Sequence, residues 1–195
     1  MVEVLQVQDH LDAHTPFSGT TTDDWLAHDH DVPAPVYLFA YPSHTSTDPH
    51  RSRWDIAWPV GGPTVSQMVA WRHIHLDAYE NESGLETDPP RYVYGGAITK
   101  TAGPGTVLAK RFLLAVVDLP ARQQIEALAA ETPLERLDAA DMDMHDAHAQ
   151  GWIRELMDRM VQSAVISSAT RDSAIEQASS AFVKPHSPLV LGLCE

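Results

Sequence analysis

The chain has 195 residues, 44% hydrophobic and 21% charged, which is the balance of an ordinary globular protein with one buried core. Thirteen Lys and Arg against 27 Asp and Glu give a formal charge of -14, which disfavours nucleic acid and anionic membrane surfaces as partners. Cys194 is the single cysteine, so no disulfide forms within the chain; no basic-then-apolar leader opens the sequence and no apolar run reaches membrane-spanning length, so a cytoplasmic protein is expected.

Residues 1–34 read as an acidic, His-rich arm, with no Lys or Arg before Arg51, and the composition predicts a loosely held segment. Residues 35–183 then form one domain. Residues 36–41, VYLFAY, are β-branched and aromatic and read as a buried strand. A polar loop leads to residues 53–60, RWDIAWPV. Here Trp54, Ile56 and Trp58 take one face and Arg53, Asp55 and Ala57 the other, so the two strands are expected to pair antiparallel.

Residues 67–79 alternate again, with Trp71, His73 and His75 on one face and Arg72, Ile74 and Leu76 on the other, which predicts one continuous strand. Residues 81–90 read as a polar turn, residues 91–98 as a strand, and residues 103–105 as a turn. Residues 107–119 read as a long strand, apolar on both faces in the manner of a central one. Pro120 then suits the first turn of a helix that Thr132 and Pro133 stop.

The most organised stretch follows, residues 141–165. Ile153, Leu156, Met157, Met160, Val161 and Ala164 recur at helical spacing, and Asp141, Asp143 and Asp146 crowd the positive end of the helix dipole. A last helix is read over residues 172–183 and a tail over residues 184–195. Strands precede helices, so the fold class is α+β: an antiparallel sheet of about five strands packed on helices.

The run His148-Ala149-Gln150-Gly151-Trp152-Ile153 at a late helix, together with Arg53-Trp54 at the start of an early strand, resembles the circularly permuted papain-like hydrolases, relatives of the NlpC/P60 and lecithin:retinol acyltransferase groups. More narrowly it resembles small fungal proteins built in that order, over about residues 36–165. The resemblance implies a permuted papain-like arrangement with a cleft between the helix start and the sheet. It places Ala149 where the family has its nucleophilic Cys, and Arg53 where it has its His. Thiol catalysis needs a thiolate and a base to generate it, so the resemblance implies lost hydrolase activity.

Three uses of such a cleft follow. The first is a non-hydrolytic binding module for a small molecule or a protein, lined by Trp54, His73, His75, Ala149, Gln150 and Trp152. The second is a cofactor-free acid–base enzyme, an isomerase, cyclase or lyase of a small metabolite. There His148 would move the proton and Arg53 would hold a carboxylate or enolate. The third is a His-rich metal site, if His73 and His75 met His145 and His148; the spacing matches no closed metal motif, so no metal and no cofactor is assigned. The aromatic set Tyr37, Trp54, Trp58, Trp71, Tyr92, Tyr94 and Trp152 reads as core before it reads as a pocket.

Overall fold

The computed structural model describes residues 27–42, 52–80, 86–101, 104–134 and 145–183. In chain order they form β1 (Ala34–Tyr41), β2 (Arg53–Val60), a 3-10 turn at Val65–Gln67, β3 (Ala70–Ile74), β4 (Asp77–Glu80), β5 (Glu86–Val93), β6 (Ile98–Thr101), the short helix α1 (Pro104–Leu108), β7 (Lys110–Val117), α2 (Leu119–Glu131), α3 (His145–Gln162) and α4 (Ser168–Ser179). Five strands make an antiparallel sheet in the order β6-β3-β2-β1-β7, and β4 pairs with β5 in a separate ribbon. The class is therefore α+β, with helices on the sheet, as the order of strands and helices predicts.

Period-two alternation decides the layers. Val36, Leu38 and Ala40 of β1 share a face with Trp54, Ile56 and Trp58 of β2. Against that face α3 lays Ile153, Leu156, Met157 and Met160, all fully buried, and Ala174 and Ala178 of α4 join the same core. Fully burying side chains of this size stabilises by about 1.5–3 kcal/mol each before chain entropy is set against it. The opposite face carries a smaller cluster of Phe39, Tyr41 and Ala57, with Tyr37 and Trp71 beside it.

A buried ion pair fastens the segment before β1. Arg122 of α2 is 0% exposed, and its Nη2 and Nε lie 2.8 and 3.1 Å from Asp29 Oδ1. Its remaining donors reach the carbonyls of His30, Val32 and Val117, and Trp58 Nε1 donates to Asp29 Oδ2 at 2.9 Å. Residues 29–32 of the acidic arm are thus held to the body by named bonds. Residues 1–26 and the tail, 184–195, lie outside the described residues.

Several sequence expectations need correction. The single strand over residues 67–79 is two strands in two sheets: the chain turns at His75 and Leu76, and β4 leaves to pair with β5. The polar turn over residues 81–90 is strand from Glu86 onward. Its Pro89 and Pro90 fall in the register irregularity between the Tyr79–Arg91 and Glu80–Glu86 pairs, where no residue of β4 stands opposite them. Residues 104–108 are helical, so the long strand begins only at Lys110.

Among the described residues that strand, β7, is an edge and not a central strand, and Leu113 and Val116 are more than half exposed. Apolar character on both faces marked a strand with a partner on only one side. The last helix runs four residues earlier than read, because Ser167 caps it by accepting from Thr170 N at 3.0 Å. The helix at Pro120 and its stop at Thr132 are found as expected, with Asp118 as the N-cap.

Candidate functional site

The most unusual chemistry lies on the smaller face of the sheet. Register sets Phe39 beside Asp55, Tyr41 beside Arg53, and Ala57 beside His73. The next pair along would set Asp55 beside His75, just past the end of β3. Asp55, His73 and His75 are 1%, 2% and 3% exposed, so a carboxylate and two imidazoles are buried within one patch. Buried ionisable groups persist only when paired or hydrogen bonded.

The pairing here is partial. His73 Nδ1 approaches Asp55 Oδ2 at 3.3 Å, an ion-pair distance without the alignment of a full hydrogen bond. Arg53 Nε lies 3.4 Å from Asp55 Oδ1, and its guanidinium sits 4.6 Å over the Tyr41 ring. His75 Nε2 meets Asp77 Oδ1 at 2.9 Å. Among the described residues, His73 Nε2 and His75 Nδ1 have no hydrogen-bond partner, although both are buried. Phe39 packs edge-on against the His73 ring, 5.8 Å between centroids.

Electrostatics follow from that geometry. Burial pushes the Asp55 carboxyl up, but the His73 contact and the charges of His75, Arg53 and His73 outweigh it, so the group is held below the usual carboxylate range. Burial, reinforced by Asp55, pushes the Tyr41 phenol up, so it stays neutral. The patch joins a carboxylate, imidazoles, a guanidinium and a phenol, the side-chain types used to move protons and hold anions.

The second location is the start of α3. Gln150 Nε2 donates to the Ser52 carbonyl at 2.6 Å, and Trp54 Nε1 donates to Ser52 Oγ at 2.8 Å. These bonds set the helix start against the start of β2. Ala149 is 5% exposed there, and His148 Nε2 is buried without a hydrogen-bond partner among the described residues. Trp152 is also in the core, donating to the Thr132 carbonyl at 3.3 Å and packing on Tyr94. Trp54 is fully buried with Arg154 4.6 Å over its ring.

The residues singled out in sequence therefore fall into two groups. Arg53, His73 and His75 share the smaller sheet face, while Trp54, Ala149, Gln150 and Trp152 belong to the helix side. His148, beside Ala149, and Arg53 are joined by no hydrogen bond or ion pair among the described residues, since Arg53 turns to Tyr41 and Asp55. Asp141 and Asp143 lie outside the described residues, as do the side chains of His145 and Asp146. No group of three or more His, Cys, Asp or Glu is placed to hold a metal ion among the described residues, so the convergence of four histidines is not found there. No helix among them is long and apolar enough to cross a membrane.

Sequence reasoning missed Asp55 as the centre of the patch. A signal was present: an ionisable residue alternating with Trp54, Ile56 and Trp58 in a strand that reads as fully buried has to find partners. The chain matches no family model, no curated protein and no solved structure.

Proposed function

We propose that this chain is a non-hydrolytic binding module in the permuted papain-like arrangement, taking a small-molecule or protein ligand at the cleft between the starts of α3 and β2. The observation that supports it is the Gln150–Ser52 bond, which ties the start of α3, where Ala149 stands, to the start of β2, where Arg53 stands. In a thiol hydrolase those two positions supply nucleophile and base. Here Ala149 is a buried methyl group on the helix side of β2, and the Arg53 guanidinium turns to the opposite sheet face, engaged by Asp55 and Tyr41.

The arrangement is tested by rebuilding the pair. The papain-like alignment requires that, in a Cys194→Ser background, Ala149→Cys with Arg53→His react with iodoacetamide at pH 6 about tenfold faster than Ala149→Cys alone, because a nearby imidazolium favours the thiolate. Equal rates would remove the papain-like alignment. Hydrolysis of p-nitrophenyl acetate by the unsubstituted protein would remove the non-hydrolytic reading.

A second reading, a cofactor-free acid–base enzyme, draws on one specific observation. His73 has a carboxylate near Nδ1 and an Nε2 with no partner among the described residues, the layout in which an Asp orients an imidazole toward a substrate proton. An isomerase or lyase of a small metabolite would use it, with Arg53 holding the anionic form. Nitrogen NMR of the His73 ring across pH 5–8 tests this: a ring that changes protonation state supports it, and one fixed in a single state ends it.

A further inference from the structure

The edge of the sheet carries a site apart from both locations above. β7 pairs with β1 on one side, and among the described residues no strand pairs with its other side. Alternate residues of an edge strand turn N–H and C=O outward, ready to bond an added strand. Helix α4 packs alongside β7, and a shallow groove of about 540 Å³ runs between them. Arg111 and Leu113 line it from the strand; Thr170, Ser173, Ala174 and Gln177 line it from the helix.

The groove has the parts that hold an extended peptide. Its strand wall offers main-chain partners. Its helix wall offers a small buried floor at Ala174, 2% exposed, with polar groups at Thr170, Ser173 and Gln177, three and four residues apart on one helix face. A strand added beside β7 would alternate its side chains, one set toward α4 and the other beside Leu113 and Val116, which are 54% and 61% exposed. Strand addition of this kind draws affinity from the main chain and specificity from the alternate pockets.

Charge chooses the occupant. Arg111 lines the strand wall of the groove; its guanidinium turns to the smaller sheet face, 5.2 Å over Phe39 and 4.8 Å over Trp71, and donates to the Thr106 carbonyl at 3.4 Å, and no carboxylate pairs with it among the described residues. A cation with no carboxylate partner among the described residues, in a chain of charge -14, favours an anionic group on the incoming segment. A second copy cannot supply it from β7, whose sequence KRFLLAVV has no acidic residue. The register shift of β7 opposite Val36 and Tyr37 is also an irregularity that discourages edge-to-edge self-pairing. We infer that the β7–α4 groove binds an extended segment of another protein by strand addition, apolar at alternate positions and with a carboxylate placed over Arg111.

The test uses the full chain and a fluorescein-labelled peptide, Glu-Val-Thr-Val-Thr-Val-Thr amide, followed by anisotropy. Saturable binding is expected. Ser173→Arg, a surface substitution on α4 that fills the groove, should weaken it about tenfold or more, as should Arg111→Glu. The same peptide N-methylated at alternate residues should not bind, because its strand donors are gone. Absence of saturable binding up to about 1 mM peptide overturns the inference. So does undiminished binding to Ser173→Arg with the helical circular dichroism intact. Sedimentation of the free chain as a dimer that the peptide does not dissociate would give the edge to a second copy instead. None of these outcomes depends on the α3–β2 cleft, so the two readings fail separately.

Discussion

Arg122 carries a full charge into the core because each of its donors finds an oxygen: Asp29 for Nε and Nη2, and the carbonyls of Val32, Val117 and His30 for the rest. A buried pair so completely bonded is costly to halve, since the surviving partner is left charged and unbonded. Asp29→Ala should therefore cost roughly 3–5 kcal/mol in urea unfolding. A loss under about 1 kcal/mol would mean that water already reaches Arg122. Asp55 allows a prediction of different form. Its carboxyl is lowered on folding, against burial, by His73, His75 and Arg53. A lowered carboxyl contributes stability above its unfolded value, about 3.9, and that contribution is lost as pH falls through the folded value. Between pH 7 and pH 3 the unsubstituted chain should lose more stability than Asp55→Asn. Parallel acid limbs for the two proteins would deny the carboxylate this role.

At the scale of elements, the C-terminus of α3 shows strain that can be relieved. Ala164 has φ 57°, in the left-handed region, while Val165 N reaches back to the Met160 carbonyl at 2.9 Å to close the helix. A Cβ there costs about 1–2 kcal/mol, and Gly avoids it at some cost in chain entropy. Ala164→Gly should raise stability by about 0.5–1 kcal/mol in thermal or urea unfolding; destabilisation would show that the turn is held by packing on the Ala methyl. Elements with a strong period were legible: β1 and β2 from alternation, α2 from Pro120 and Thr132, α3 from its apolar stripe. Where local pattern and tertiary pairing diverge, the sequence misled. The alternation of His73 and Ile74 continues through Leu76 into β4, and nothing local marks the turn between sheets. Residues 112–117 look central because they are apolar, yet only pairing decides which strand stands at the edge. The two faces of β2 were legible, so Arg53, Asp55 and the histidine face could be grouped. That Asp55 sits at their centre required the register of three strands.

The molecule as a whole carries its excess of acids on a body that holds the guanidinium of one ion pair, Asp29–Arg122, fully buried. Twenty-seven Asp and Glu against 13 Lys and Arg leave a repulsion of long range, whereas Asp29 and Arg122 interact at 2.8 Å with Arg122 fully buried. Salt discriminates between the two. Raising ionic strength from about 0.01 M to about 0.15 M shortens the screening length from about 30 Å to about 8 Å, which weakens repulsion across the surface and hardly touches a buried contact. Partly exposed pairs such as Arg72–Glu126 and Arg171–Asp158 work in the opposite sense, since screening removes attraction, but exposed pairs contribute little each. Repulsion should win. The midpoint of thermal unfolding at pH 7 should rise with sodium chloride over this range by a few degrees, with most of the change complete by about 0.15 M. A midpoint that falls instead would mean that attractive surface pairs outweigh the net charge, and that the acids of this chain are arranged as partners and not merely as solvent-facing charge.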